Sequence, residues 1–304
     1  MARTVAETIK EITRGHLTKN NGLLLGQAIT AVGWVNNTVP DCKGIIELSM
    51  ADVSGSGIAV GAALAGRRPI FVIRFQDFLI LNGSPLIYYA AKTKEFFGKG
   101  TPIFVRAIAS EGKGAGPVHS GKLHSIFMHF PGFRVSAPVT PKEYETAWKD
   151  FLEHDDPAIV CEHRASFDNK DEIADRVTGR SDVTIYAISI ARFNAVRAAE
   201  LLERDGIKCD VVNIVRLKPF LLNDRLLGPL KSSKMGIVVD TGFEPAGASQ
   251  SIAYELMFAA GVPVKALGLA DRSVGVTPGT ENSTPDARRI AEAVRTEYGK
   301  RRGR

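Results

Sequence analysis

Three stretches of this chain bring together residue types that can do chemistry. The first is GIIELSMADVSGSGIAVGAALAGRRPIFVIRF, residues 44–75, where Asp52 opens a run holding Gly55, Gly57, Gly61 and Gly66 among several alanines. A carboxylate at a helix start can cap the first turn or act on a bound ligand, and composition alone favours the cap. Glycine weakens a helix by about 0.5–1 kcal/mol relative to alanine, so this density needs a packing reason. The spacing is GxGxxxG rather than the dinucleotide-binding GxGxxG, and no turn glycine directly follows the strand. The favoured reading is a helix whose small residues admit a second helix or chain. A nicotinamide-dependent oxidoreductase is the weaker alternative.

The second stretch is FQDFLILNG, residues 75–83. Phe75 and Phe78 follow a predicted strand end, where ligands gather in open α/β sheets, and either ring can pack inward or stack on a flat ligand. The third is GKGAGPVHSGKLHSIFMHFPG, residues 112–132, with His119, His124 and His129, half of the chain's six histidines. Their spacing of five is not the i, i+4 pattern of a helical zinc site, and the glutamate of HExxH is missing, so no metal ligand is predicted. A loop histidine can instead move protons near neutral pH, or stand exposed without a role.

The elements that must position these residues alternate. Apolar runs at 44–48, 69–74, 102–108, 133–137 and 158–162 read as strands, with helices over 53–65, 85–97 and 141–153. Continuous apolar strands separated by helices predict a parallel sheet covered on both faces. The polar stretch at 167–181 reads as a linker between a domain at 1–166 and another at 182–304. In the second, strands are predicted at 183–188, 208–214, 236–240 and 264–268, with helices over 191–204, 250–260 and 285–298. The fold class is therefore α/β: two three-layer α/β/α domains.

A chain of 304 residues can support two such cores. The opening MARTVAETIKEITRGHLTK reads as an amphipathic helix rather than a signal peptide, and no apolar run is long enough to span a bilayer. Net charge is +6, part of it in the final GKRRGR, read as a solvated tail; no nucleic-acid recognition motif accompanies it. Cys42, Cys161 and Cys209 are widely spaced and odd in number, which predicts neither a metal site nor a disulfide framework and fits the cytoplasm.

These motifs together resemble the β subunit of the thiamine-diphosphate-dependent decarboxylating component of 2-oxoacid dehydrogenases, a relative of transketolase. The resemblance rests on IIELSMAD (45–52), AVGAALAGRRP (59–69), FQDF (75–78), HSGK (119–122), PGFRVSAPVTP (131–141) and DDPAIVCEHR (155–164). It continues through residues 182–220 and GIVVD at 236–240, weakening after Thr241. It implies an N-terminal pyrimidine-binding-type domain and a C-terminal domain of the transketolase type.

By position, the resemblance makes Asp52 the carboxylate that promotes the reactive tautomer of the cofactor's pyrimidine. Phe78 becomes the ring that stacks on it, and Met50 a neighbour on the same wall. His119 matches the loop histidine that handles protons or the substrate carboxylate, and a gapped alignment gives His124 that role instead. Three positions depart from the pattern: Asp52 replaces a glutamate, Gln27 an acid, and Gly121 the glutamine of HSQ. They point to a divergent member, in which a shift of about 1 Å at a catalytic contact can cost on the order of a hundredfold in rate.

The family holds the diphosphate and Mg2+ through a GDG motif and a later asparagine on an α-type subunit. No GDG occurs in these 304 residues. The resemblance thus implies an α2β2 heterotetramer sharing thiamine diphosphate between chains and acting on a small-molecule substrate, a 2-oxoacid or ketose-like compound. The alternative within this class is a catalytically weak scaffold subunit.

Overall fold

The computed structural model describes residues 2–20, 22–30, 35–112, 115–277 and 279–303. Residues 113–114 of the glycine-rich loop and 31–34 after Gln27 lie outside them. The chain divides into two units, Met1–Glu172 with Leu217–Pro219, and Ile173–Arg216 with Phe220–Arg304.

The first unit opens with α1 (Val5–Lys19), started by a reciprocal capping box between Thr4 and Glu7. Then follow β1 (Leu23–Gln27), β2 (Ile45–Leu48), α2 (Asp52–Leu64), β3 (Pro69–Ile73), α3 (Leu79–Pro85) and α4 (Thr93–Phe97). The remaining elements are β4 (Phe104–Ala109), α5 (His124–His129), β5 (Arg134–Ser136), α6 (Pro141–Glu153) and β6 (Ala158–His163). The strands lie in the order β2-β1-β3-β4-β6-β5, and every pair along that series is parallel. A seventh strand, Arg216–Lys218, follows β5 at the edge. All residues of β3, β4 and β6 are buried, as expected of central parallel strands.

The second unit contains β7 (Val183–Ile188), α7 (Ala191–Arg204) and β8 (Cys209–Ile214), then β9, the strand lent to the first sheet. After it come α8 (Asp224–Ser233), β10 (Gly236–Phe243), α9 (Ala248–Ala260), β11 (Val264–Leu269) and α10 (Ala287–Arg302). Its sheet runs β11-β10-β7-β8, all parallel. Val183, Ile185, Ile237 and Val239 pack with Ala191, Ala195 and Ala198 of α7 and Ile290 and Val294 of α10 in one apolar core.

Several local expectations change. Strand β1 was not among those expected, being a short LLL run behind a helix. The helix expected over 85–97 is broken: α3 ends at Pro85, a π-helical turn spans Leu86–Ala90, and α4 begins at Thr93. Proline fits a first helical turn, yet here it closes α3. The C-terminal residues Gly299, Lys300, Arg301 and Gly303 are exposed, as a solvated tail should be, although α10 runs to Arg302 and Arg301 donates to the Ser233 carbonyl at 2.8 Å. The histidine-rich loop contains α5, and α8 lies in a segment for which no helix was expected.

Candidate active site

The chemistry-bearing residues of the first unit meet at the carboxyl ends of β1 and β3. Asp52 is the first residue of α2, but its side chain does not cap the helix, and Ala51 at the cap position makes no side-chain bond either. The cap comes from the end of β1. With its amide oxygen turned toward them, Gln27 accepts from the N–H groups of Ala51 at 3.2 Å and Asp52 at 3.3 Å. A neutral side chain thus satisfies the helix start and leaves the Asp52 carboxylate available.

That carboxylate is held by Asn82 of α3, whose Nδ2 donates to Asp52 Oδ1 at 2.8 Å and to the Phe78 carbonyl at 2.9 Å. The Asn82 carbonyl oxygen is buried and has no partner. Gln27, Asp52, Phe71, Val72, Ile73, Arg74, Phe78 and Asn82 line one cavity of about 10 Å³, room for about one water. Burial lowers the Arg74 pKa, with Glu47 acting against the shift.

His119 joins this group through aromatic contacts. Its ring meets Phe75 edge-on with centroids 4.5 Å apart and Phe78 at 5.6 Å, while the two phenyl rings are 6.0 Å apart. The Arg164 guanidinium lies over the other participant, Phe75, at 4.9 Å. Burial lowers the Arg164 pKa, helped by the like charge of Arg74.

The other candidates are placed differently. Met50 lies in the turn before α2 and is 71% exposed. His124 is buried at the head of α5, and His129 at the far end is exposed beside Phe130. Among the described residues no group of His, Cys, Asp or Glu has the arrangement of a metal site.

Sequence reasoning passed over Asn82, Gln76 and Asp77. Gln76 accepts from Leu123 N at 2.8 Å and donates to the Ala107 carbonyl at 3.1 Å, and Asp77 accepts from Gly121 N. The available signal was their place in the segment 75–83 already singled out, Gln76 and Asp77 between Phe75 and Phe78 and Asn82 four residues after Phe78.

Residues 10–169 match the family described as transketolase, pyrimidine binding domain, and residues 173–290 match the transketolase C-terminal domain. The chain is 29% identical over 209 residues to the acetoin:2,6-dichlorophenolindophenol oxidoreductase subunit beta of Cupriavidus necator, covering 64% of this chain and 62% of that protein. It is 29% identical over 228 residues to the pyruvate dehydrogenase E1 component subunit beta of Rickettsia felis, covering 71% and 70%. With the 2-oxoisovalerate dehydrogenase subunit beta of Bacillus subtilis it shares 27% over 244 residues, 75% of each. Among solved structures, a split-gene transketolase described as an inactive beta4 tetramer superposes with a TM-score of 0.75 at 18% identity, over 98% of this chain and 99% of that one. Transketolase from Campylobacter jejuni gives 0.72 at 17%, over 98% of this chain and 45% of its own. The chain belongs to the transketolase pyrimidine-binding domain family.

Proposed function

From that membership we propose that this chain is the β-type subunit of a two-chain thiamine-diphosphate enzyme acting on a 2-oxoacid or ketose-like substrate. The observation that carries this reading is the convergence of Asp52, Asn82, Gln27 and Phe78 on one cavity at the strand ends. The donor set suits an aminopyrimidine. Asp52 keeps a carboxylate oxygen that Asn82 does not take, and the orphaned Asn82 carbonyl oxygen can accept from an amino group. Phe78 offers an aromatic face for stacking. When bound, the cofactor supplies a carbon nucleophile that attacks a carbonyl and stores the resulting electrons.

This chain's residues then have separate tasks. Asp52 offers its free carboxylate oxygen to the pyrimidine, Asn82 and Gln27 fix its position, and Phe78 orients the ring. His119, beside Phe78, handles the substrate's proton or carboxylate. His124, buried at the head of α5, is the lesser candidate for that task. Met50 is exposed and belongs to the outer rim of the wall.

In this chain alone the cavity has room for about one water, which supports a second wall that completes the site for a pyrimidine ring. The surface supports a partner there. Met50, Val53, Ile58, Ile80, Leu81, Tyr88 and Tyr89 are all exposed, and among the described residues nothing outside the helix's own adjoining backbone lies within 4 Å of a Cβ built on Gly57 or Gly61. The partner is an α-type subunit bearing the GDG motif and asparagine that hold Mg2+ and the diphosphate, in an α2β2 assembly. Three free thiols, Cys42, Cys161 and Cys209, suit a cytoplasmic compartment.

The test is calorimetric titration of thiamine diphosphate with Mg2+ into this chain mixed with an α-type partner, followed by turnover on 2-oxoacids and ketose phosphates. The complex should take up cofactor, and Asp52→Ala should lower turnover on the order of 10²–10⁴-fold. Unchanged turnover would make this chain a scaffold. A complex that assembles yet takes up no cofactor would overturn the reading.

A further inference from the structure

We propose that Asp77 is the positioning residue for His119: by receiving the Gly121 N–H, its carboxylate fixes where the His119 ring stands against Phe75 and Phe78. The inference deepens the reading above, which gives His119 its task, but the geometry is independent of any cofactor. Asp77 lies in the single 3-10 turn Gln76–Phe78 directly after β3. Its two carboxylate oxygens lie 3.1 and 2.9 Å from Gly121 N, a charge-assisted contact only two residues from His119.

The identity of residue 121 follows from this contact. The Gly121 backbone does not adopt the left-handed conformation that favours glycine. A Cβ placed there, however, would lie 2.6 Å from Asp77 Oδ1 and 2.9 Å from its carboxyl carbon. Glycine at 121 is what lets the carboxylate reach the amide. The departure from HSQ in the histidine loop and the acid at 77 therefore form one device.

The rest of the loop is tied at the same end. Gln76 accepts from Leu123 N at 2.8 Å. Between these two amides, the Lys122 side chain turns inward, 1% exposed, with its ammonium 3.2 Å from Glu111 Oε2 at the loop's beginning. The ion pair joins the two ends of the segment that carries His119, and Asp77 sets its height over the phenyl rings. An edge-on imidazole against two phenyl rings has its carbon-bound protons displaced by their ring currents, so the ring position is directly readable.

The experiment uses the full-length chain with isotope-labelled histidine and records the ring resonances by NMR, His119 being assigned with His119→Asn. Asp77→Ala should remove the ring-current displacement of His119. His16, packed against Trp148 at a centroid distance of 4.9 Å, should keep its resonance as an internal control. Asp77→Asn retains an acceptor oxygen and should preserve most of the displacement. Gly121→Ala should abolish it while Asp77 is intact.

A His119 resonance unmoved in Asp77→Ala overturns the proposal. Should Asp77→Ala disturb His16 as well, the other two variants decide: Asn at 77 must hold His119 in place and Ala at 121 must displace it, and equal behaviour overturns the proposal. The spectrum needs no cofactor. A working latch in a chain whose assembled complex with the α-type partner takes up no thiamine diphosphate would sink the functional reading alone.

Discussion

The apolar core of the second unit and the strand ends of the first are built from the same parallel-sheet plan with different side chains. In the second, Val183, Ile185, Ile237 and Val239 meet alanines of α7, and each local preference agrees with its neighbours. In the first, β4 and β6 carry Arg106 and Glu162, 0% and 1% exposed, joined at 2.7 and 2.9 Å. Thr38 accepts from Arg106 and Tyr144 donates to Glu162. Burial alone would lower the Arg106 pKa, but Glu162 and Tyr144 raise it beyond its usual range. Burial and Glu162 together push the Tyr144 hydroxyl well up. Replacing such a pair with apolar residues is often neutral or stabilising, so stability alone does not explain its presence. The second unit buries charge as well, Arg192, Asp210 and Asp240 all being 0% exposed, but outside its apolar core, whereas in the first unit the pair joins two central strands beside the candidate site.

The contrast can be broken by mutation. Arg106→Met strands the Glu162 carboxylate and should cost about 3–5 kcal/mol in urea unfolding, whereas Arg106→Met with Glu162→Leu should cost far less. A single variant within about 1 kcal/mol of wild type would show the pair to be ordinary filling.

His163 sharpens the same point through pH. Burial lowers its pKa from 6.5 to about 4, with Lys122 and Arg164 adding to the shift and Glu111 opposing it. The neutral ring accepts from Ala165 N through Nδ1. Because the folded pKa lies below the unfolded one, the unfolded chain binds the proton first. Stability is full above pH 6.5 and falls toward pH 4, by on the order of 3 kcal/mol. His163→Gln should lose this part of the pH dependence, read as the difference between the two unfolding profiles. Parallel profiles would remove His163 from the argument.

In the second unit, Ile185→Val should cost only about 0.5–1.5 kcal/mol, the ordinary value for a buried methylene, with no new pH dependence. The smallest effect is expected at Gly61, an exposed helical position where, among the described residues, nothing beyond the helix's own backbone lies within 4 Å of a built Cβ. Gly61→Ala should stabilise the isolated chain by about 0.5–1 kcal/mol while weakening assembly with the partner. Stabilisation with undiminished assembly would remove α2 from the interface.

The regular elements were legible because their signals are local. The expected boundaries of α6, β7 and α7 coincide with those observed, and alternation of strands and helices gave both sheets. Motif order singled out Asp52 and Phe78, and the structure brings both to the wall of one cavity. What escaped is pairing across distance. Asn82 meets Asp52 from 30 positions away and Asp77 meets Gly121 from 44, and neither partner has a sequence pattern that announces the other. Composition alone favoured capping for Asp52, because an acid at a helix start usually serves that purpose. The amide of Gln27, on a strand that was itself overlooked, does that job instead.

The excursion of Leu217–Pro219 into the first unit has a consequence for the order of the chain. Lys218 there donates to the Met128 carbonyl at 2.8 Å and to that of Phe130. The polypeptide therefore passes between the units three times, and a nick at 172/173 would leave the N-terminal fragment without an edge strand. Limited proteolysis at that junction should yield a nicked but still associated pair of fragments, and their refolding from separate solutions should require both to be mixed.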